Sequence, residues 1–210
     1  MLFRLILLLI GLNANLAFGQ EASPVSSSRP TLLVLGDSLL AAHNIREKQG
    51  WVTLMSERLA HKTPPWTVIN ASVSGETSSG GLSRLPNLLA SHKPQWVMLE
   101  LGANDGLRGL PLKNIRANLQ EMIQRSQASG AKVILIGIML PPNYGSAYRE
   151  PFARMYRELA EQNQLPLVPF LLEGVADNPS LMQPDGLHPT ALAQSKVLDH
   201  VWRVVAPLWD

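Results

Sequence analysis

The chain has 210 residues, a length that suits a single domain. Hydrophobic residues make up 46% of it and charged residues 16%, so it can bury a substantial core and is not a disordered chain. The formal net charge is +2 and its basic residues are scattered, which argues against nucleic-acid binding. The absence of cysteine excludes disulfides, thiol catalysis, a Cys-based zinc site and a lipid-modified N-terminal cysteine.

Residues 1–19 are typical of an export signal. A positive charge precedes a short apolar core at 5–12, and Ala17 and Gly19 are small residues at the positions that a signal peptidase reads. We expect cleavage after Gly19, a periplasmic or secreted protein, and a flexible leader over residues 20–30. The alternative is a retained membrane anchor, although the apolar core is well short of the ~20 residues that a spanning helix needs.

Five short apolar runs alternate with helical patterns from residue 31 onward. Near-continuous apolar runs are typical of strands covered on both faces, as in a parallel sheet. The predicted strands are 31–36, 66–71, 95–101, 132–140 and 166–170. The predicted helices are 51–61, 79–91, 112–129 with Gly130 as C-cap, 150–164, and 190–208 with Thr190 as N-cap. This alternation predicts one domain over residues 31–210, a three-layer α/β/α sandwich with a five-stranded parallel sheet.

A polar segment follows each predicted strand. The five segments are 37–38, 72–77, 102–106, 141–145 and 185–189. In open α/β sheets, binding sites form at the carboxyl ends of the strands. We therefore predict a functional site at that edge of the sheet.

Ser38 follows the first strand and a tight turn, so its hydroxyl can project from the sheet edge. Turn chemistry alone also accounts for a serine here. A serine becomes a nucleophile when a base accepts its proton. His188 is the natural base, and Asp185 can orient the imidazole and stabilise its cation. Acyl transfer also needs donors directed at the oxyanion. The candidate donors are the backbone N–H groups of Ser38 and Gly75 and the side-chain amide of Asn104.

Four blocks of the sequence resemble a known family. GDSL at 36–39, the glycine after the second strand, GAND at 102–105 and DGLHP at 185–189 are similar in order and spacing to the blocks of the SGNH hydrolases, also called GDSL esterases. Within that family the sequence resembles the bacterial periplasmic thioesterase I / lysophospholipase L1 type over nearly all of residues 31–208. The resemblance implies a flavodoxin-like SGNH hydrolase fold, the catalytic and oxyanion roles named above, and no cofactor.

A metal site is the alternative for Asp185 and His188. A metal needs more ligands than these two residues supply, and no ligand-like spacing is found among the other histidines, which are His43, His61, His92 and His200. We therefore predict no metal. His43 is interpreted as loop surface.

Other polar and small residues near the blocks receive structural interpretations. Asp37 and Asp105 are interpreted as structural rather than reactive. Ala42 and Ala103 stand where relatives tend to have glycine. Their methyl groups are expected to affect the substrate range more than the reaction type.

Two loops are predicted to form an apolar groove beside the nucleophile. The proposed lining residues are Leu107, Leu110, Met139, Leu140 and Tyr144. Gly106 and Gly109 are expected to let the first of these loops move. The alternative is ordinary loop packing.

The resemblance implies an exported serine esterase and thioesterase that hydrolyses lysophospholipids, aryl esters and acyl thioesters through an acyl-enzyme. The expected partner is a small-molecule acyl ester or lipid, with a transient contact to a membrane surface, and the expected state is a monomer. One alternative is a short-chain or carbohydrate acetylesterase on the same fold. A more distant one is a non-catalytic lipid- or glycan-binding protein, which would be expected to lack one of the three reactive residues.

Overall fold

The sheet of the computed structural model, which describes residues 29–209, contains all five predicted strands. They are β1 (Thr31–Leu35), β2 (Thr67–Asn70), β3 (Trp96–Leu99), β4 (Lys132–Ile136) and β5 (Leu167–Val168). Every pairing is parallel and the strand order is β2-β1-β3-β4-β5. This is the flavodoxin-like order, with its switch point beside β1. The predicted fold class is confirmed, whereas the predicted signal peptide and most of the leader lie outside the described residues.

Six α-helices surround the sheet in the described part of the chain. They are α1 (Trp51–Ala60), α2 (Ser78–His92), α3 (Ala103–Leu107), α4 (Leu112–Ala128), α5 (Ser146–Asn163) and α6 (Gln194–Val205). Helix α3 was not predicted. The predicted final helix is shorter than expected, because short 3₁₀ turns flank α6 on both sides. Thr190 does not act as a side-chain cap, since its hydroxyl donates to the carbonyl of Leu181 at 3.2 Å. Within residues 29–209, none of the helices has the length and apolar character needed to cross a bilayer.

Alternate side chains of β1 enter two separate cores. Leu32 and Val34 pack with residues of α1 and α6 on one face of the sheet. Leu33 and Leu35 pack with residues of α2, α4 and α5 on the other. This gives the three layers predicted. All five strands were predicted to be covered on both faces. The edge strand β2 differs, because its central residues are only half-buried.

The parallel strands all end at the same edge of the sheet, so the polar segments that follow them lie together. Strand β4 ends at Ile136, although the apolar run continues to Leu140. The backbone N–H of Gly137 still donates to the carbonyl of Val168 at 2.8 Å, and the chain then leaves the sheet. The last residues of this apolar run therefore cover the edge where the site was predicted.

Candidate active site

Asp37 shapes the turn that follows β1. Its Oδ1 accepts a hydrogen bond from the N–H of Leu39 at 3.0 Å. Its carbonyl accepts from the N–H groups of Leu40 at 3.2 Å and Ala41 at 3.0 Å. Asp37 is buried, whereas Ser38 next to it is half-buried. The structural interpretation of Asp37 is confirmed, and the turn presents the Ser38 hydroxyl at the sheet edge.

Ser38, His188 and Asp185 form a continuous chain of side-chain contacts. The Oγ of Ser38 lies 2.8 Å from Nε2 of His188. The Nδ1 of His188 lies 2.8 Å from Oδ2 of Asp185. A carboxylate only accepts, so Nδ1 carries the proton and Nε2 accepts from the serine hydroxyl. This arrangement can remove a proton from Ser38.

The Asp185 carboxylate is held as an anion. Burial raises its pKa, but hydrogen bonds from the Leu187 N–H, the His188 ring and the His188 N–H, together with the charge of His188, outweigh burial and lower the pKa to about 2. The two backbone bonds are to Oδ1, at 2.9 Å from Leu187 and 3.1 Å from His188. The carboxylate is therefore fixed in direction and stays charged beside the imidazole.

The predicted oxyanion donors differ in whether they already donate hydrogen bonds to protein atoms. Among the described residues, the N–H groups of Ser38 and Gly75 donate to no protein acceptor. Gly75 has a φ of 79°, a left-handed conformation that glycine adopts without strain. The Nδ2 of Asn104 donates to Oδ2 of Asp37 and to the carbonyl of Glu76, both at 3.0 Å. The amide of Asn104 thus connects the Ser38 turn to the loop that carries Gly75.

A cavity of about 140 Å³ opens beside Ser38 and His188. Asp37 and Asn104 also line it. The rest of the lining is mostly apolar and comes from several loops: Leu39, Ala103, Leu107, Ile138, Met139, Leu140, Pro141, Phe170, Leu172 and Leu187. A mostly apolar cavity with a few polar groups at one end is typical of a small-molecule site.

The model of the GDSL-like lipase/acylhydrolase family matches residues 34–195. The chain belongs to this family. The predicted family membership is confirmed.

Named relatives agree with this membership. The chain is 49% identical to "Esterase TesA" of Pseudomonas aeruginosa over 202 residues, which cover 96% of this chain and 98% of the relative. It is 42% identical to "Thioesterase 1/protease 1/lysophospholipase L1" of Escherichia coli over 183 residues, which cover 87% of this chain and 86% of the relative.

Solved structures show the same fold. A crystal structure of TesA has a TM-score of 0.82 at 52% identity, covering 85% of this chain and 99% of that one. The psychrotrophic esterase EstA from Pseudoalteromonas sp., inhibited by monoethylphosphonate, has a TM-score of 0.80 at 39% identity, covering 85% and 97%. The prediction that this GDSL-like acylhydrolase is a carboxylic-ester or thioester hydrolase is confirmed at that level.

Two residues predicted to line the groove of this acylhydrolase lie outside the cavity. Leu110 is 38% exposed. Tyr144 is turned so that its hydroxyl donates to the carbonyl of Leu107 at 2.9 Å. Tyr144 therefore supports a lining loop without lining the cavity itself. The other three predicted residues do line it, and the sequence reasoning missed Ile138, Phe170, Leu172 and Leu187.

Gly106 has a packing role in the structure, and the movement expected of its loop stays a prediction. It lies inside α3, and a Cβ at this position would come within 2.8 Å of both Leu140 and Phe152. The absence of a side chain lets α3 approach the loop after β4 closely. The cavity wall formed by Leu140 is therefore backed by the helix.

Glu100 is a buried acid that the sequence reasoning missed. Its Oε2 accepts from the N–H of Asp37 at 3.1 Å, below the turn that presents Ser38. Burial, followed by the negative charge of Asp37, raises the pKa of Glu100 well above its ordinary range. Burial also raises the pKa of Asp37 to about 6, although the Leu39 N–H, the charge of His188 and bonds to Glu100 and Asn104 oppose this. Two carboxyl groups thus share a buried site beside the serine.

Asp105 has the structural role that was expected. Its two oxygens accept from the N–H and the hydroxyl of Ser78, at 2.8 and 2.6 Å. The Ser78 hydroxyl also accepts from Nδ2 of Asn118 at 2.9 Å. Asp105 therefore connects α3 to the first turn of α2 and fixes the loop that carries Asn104.

The interpretation of His43 as loop surface is wrong. His43 is half-buried, and its ring centroid lies 4.3 Å from that of His188. Its Nδ1 lies 3.5 Å from the Oγ of Ser74. A second imidazole therefore covers one side of the His188 ring, a contact that no spacing in the sequence indicates.

The two alanines that were expected to affect the substrate range, Ala42 and Ala103, have different surroundings. Ala103 lines the cavity. Ala42 lies outside it and has a φ of 55°, which is left-handed. The methyl group of Ala103 is therefore placed to affect substrate fit, whereas that of Ala42 affects the backbone.

Proposed function

We propose that this acylhydrolase is an exported serine hydrolase of lipid esters and acyl thioesters, with Ser38 as nucleophile, His188 as base and Asp185 as its orienting acid. The observation that carries the proposal is the contact chain from Ser38 Oγ through the His188 ring to Asp185, with both distances at 2.8 Å. All three residues belong to one chain, which is consistent with a monomer.

The reaction follows from this arrangement. Ser38 Oγ attacks the acyl carbonyl while His188 Nε2 takes the hydroxyl proton. Asp185, which stays ionised, stabilises the resulting imidazolium. The proton then passes from Nε2 to the leaving alcohol or thiol, and the acyl group remains on Ser38. A water molecule then attacks this ester while His188 Nε2 takes its proton. The bond between the acyl carbon and Ser38 Oγ breaks, Nε2 returns the proton to Oγ, and the carboxylic acid leaves.

The N–H groups of Ser38 and Gly75 and the amide of Asn104 are proposed to bind the oxyanion. Within residues 29–209, the two backbone groups have no competing protein acceptor. Both N–H groups of the Asn104 amide already have acceptors, so the oxyanion must share one of them or replace it. The carbonyl of Glu76 is the weaker competitor, because hydrogen bonds to the charged carboxylate of Asp37 are stronger than bonds to a neutral carbonyl.

The apolar cavity favours a fatty acyl group over an acetyl group. The apolar side chains that line the cavity include Leu107, Met139, Leu140 and Phe170. A small polar pocket would fit the substrate of a carbohydrate acetylesterase better than this apolar cavity does. The relatives named esterase and thioesterase/lysophospholipase support esters and thioesters as the substrate class.

Hydrolysis of p-nitrophenyl esters from acetyl to palmitoyl tests the proposal. We expect activity that rises with chain length beyond acetyl. The rate should fall on the order of 10⁶-fold in Ser38→Ala, because the nucleophile is lost. Ser146→Ala, which changes an exposed serine at the start of α5, should keep full activity. A fluorophosphonate should add one adduct at Ser38, read by peptide mass. Equal rates in the wild type and Ser38→Ala would refute the role of Ser38, and a profile confined to acetyl esters would favour the acetylesterase.

Export rests on the sequence of residues 1–19. We propose that the signal is removed after Gly19, so that the exported protein begins at Gln20. An intact mass that still includes Met1–Gly19 would contradict this.

A further inference from the structure

His43 is held beside His188 by its own backbone. Its N–H donates to the carbonyl of Ser38 at 3.3 Å, and its carbonyl accepts from Nε2 of Gln183 at 3.0 Å. Its neighbours Ala42 and Asn44 both have left-handed φ values, of 55° and 56°. The loop therefore turns sharply on either side of His43 and directs the imidazole towards the site.

Three metal-ligating side chains meet at this point. One ligand atom each of His43, Asp185 and His188 lies within 4.8 Å of the other two. Asp185 is exposed and the two histidines are half-buried, so an ion can reach them from solvent. Two imidazole nitrogens and a carboxylate oxygen form a donor set that suits Zn²⁺ and similar divalent ions.

We propose that His43, Asp185 and His188 bind a divalent transition-metal ion such as Zn²⁺, and that this ion switches the hydrolase off. Zinc binds such ligands at about 2.0–2.2 Å, so two of its ligand atoms lie roughly 3.3 Å apart in a tetrahedral site. The three atoms therefore need to approach one another by no more than about 1.5 Å. The ring of the half-buried His43 now stacks on His188 with a tilt of 36°. Rotation of the His43 side chain can bring its ligand nitrogen closer to the other two atoms.

The effect on hydrolysis rests on the proposed function, whereas the binding itself does not. Each nitrogen of His188 already has a partner, Asp185 on Nδ1 and Ser38 on Nε2. A metal on either nitrogen breaks one of these two contacts. In both cases the imidazole can no longer take the serine proton, so the bound ion acts as a reversible inhibitor.

Calorimetric titration of ZnCl₂ into the EDTA-treated, dialysed protein tests the binding. The test variant is His43→Phe, which keeps an aromatic ring beside His188 but removes the ligand atom. The control is His92→Phe at the end of α2, far in sequence from the cluster. We expect one Zn²⁺ per wild-type chain, and an affinity that falls about tenfold or more in His43→Phe and is unchanged in His92→Phe. No binding by the wild type, or equal binding by His43→Phe, would overturn the proposal.

Two further measurements keep the outcome interpretable. Zn²⁺ should raise the melting temperature of the wild type and shift that of His43→Phe less, a comparison made within each variant. Ester hydrolysis is measured against Zn²⁺ concentration and normalised to each variant's own metal-free rate. The Zn²⁺ concentration that halves hydrolysis should be higher in His43→Phe than in the wild type, by the same factor as the dissociation constant. EDTA should restore activity. A wild type that binds Zn²⁺ through His43 but hydrolyses no ester would refute the proposed function and support this site. Inhibition by Zn²⁺ that is equal in His43→Phe would refute the site.

Discussion

Ala42 carries a methyl group on a backbone that glycine adopts more readily. Its φ of 55° lies in the left-handed region, where a Cβ approaches the following carbonyl oxygen. The methyl group also lies against Gly50, where an added Cβ would come within 2.9 Å of it. Glycine would fit this position with less strain than alanine.

We expect Ala42→Gly to stabilise the fold. Replacing alanine with glycine removes a left-handed strain of roughly 1–2 kcal/mol from the folded state. The greater freedom of glycine in the unfolded chain reduces this gain in stability by about 0.5–1 kcal/mol. Urea unfolding should show a gain of about 0.5–1 kcal/mol in the free energy of unfolding. Ala41→Gly is the matched control: its φ is not left-handed, so only the entropic loss applies and stability should fall. A loss in both variants would contradict the argument.

Met139 and Leu140 are neighbours in the loop after β4, yet they serve the cavity differently. Met139 is 43% exposed, whereas Leu140 is only 3% exposed and packs against Gly106 and Phe152. Both line the cavity. Truncation of Met139 therefore removes apolar cavity surface, whereas truncation of Leu140 also opens the core behind it.

Met139→Ala should weaken hydrolysis of long-chain esters and leave acetyl esters nearly unchanged. Lost apolar contact of about 1 kcal/mol corresponds to roughly a fivefold lower kcat/KM for palmitoyl esters. Leu140→Ala should show the same bias together with a loss of about 2–5 kcal/mol in stability. Parallel assays of acetyl and palmitoyl esters, with a melting curve for each variant, check this. An equal loss on both esters would remove Met139 from the acyl-binding surface.

Elements with a long apolar pattern were predictable, and those without one were not. All five strands follow from apolar runs, and the five longer helices follow from periodic apolar patterns. Helix α3 has only five residues and includes Gly106, so neither periodicity nor propensity indicates it. The run at 132–140 reads as one strand, because apolar residues that cover a ligand cavity are indistinguishable in sequence from those that fill a core.

The buried pair of Asp37 and Glu100 makes the stability of the whole molecule depend on pH. Burial raises the pKa of Asp37 to about 6, and burial together with the charge of Asp37 raises the pKa of Glu100 well above its ordinary range. A group whose pKa is higher in the folded state binds its proton more tightly there, so its favourable contribution is full at low pH and is lost as the pH rises through the folded pKa. Asp185 acts in the opposite direction, but only below about pH 4.

Glu100→Gln should therefore stabilise the protein more at pH 8 than at pH 5. In the wild type, Glu100 ionises more readily in the unfolded state than in the folded state, so it lowers the free energy of unfolding as the pH rises. The amide of Gln does not ionise, so the variant lacks this decrease. Melting temperatures at the two pH values, compared with those of the wild type, check this. Glu173→Gln changes an exposed acid and should show no such difference. A shift of the same size at both pH values would contradict the assigned direction.

The site was predictable where residues cluster in sequence motifs and not where distant segments meet. Ser38, Asp185, His188 and Asn104 lie in recognisable blocks, and the fold brings them to one edge. Glu100 is a single acid inside an apolar run, and nothing in the sequence distinguishes it from an exposed strand end. The position of His43 depends on two left-handed residues, a conformation that alanine rarely adopts.

The contact between Ser38 and His188 joins residues 150 positions apart. The first strand supplies the nucleophile, while the base comes just before the last helix. Any shorter product that lacks the C-terminal fifth of the chain holds a serine without its base. On the proposed mechanism, a chain whose synthesis is incomplete has no base to activate Ser38. The enzyme therefore gains its activity only after the last fifth of the chain has been made and has folded against the first strand.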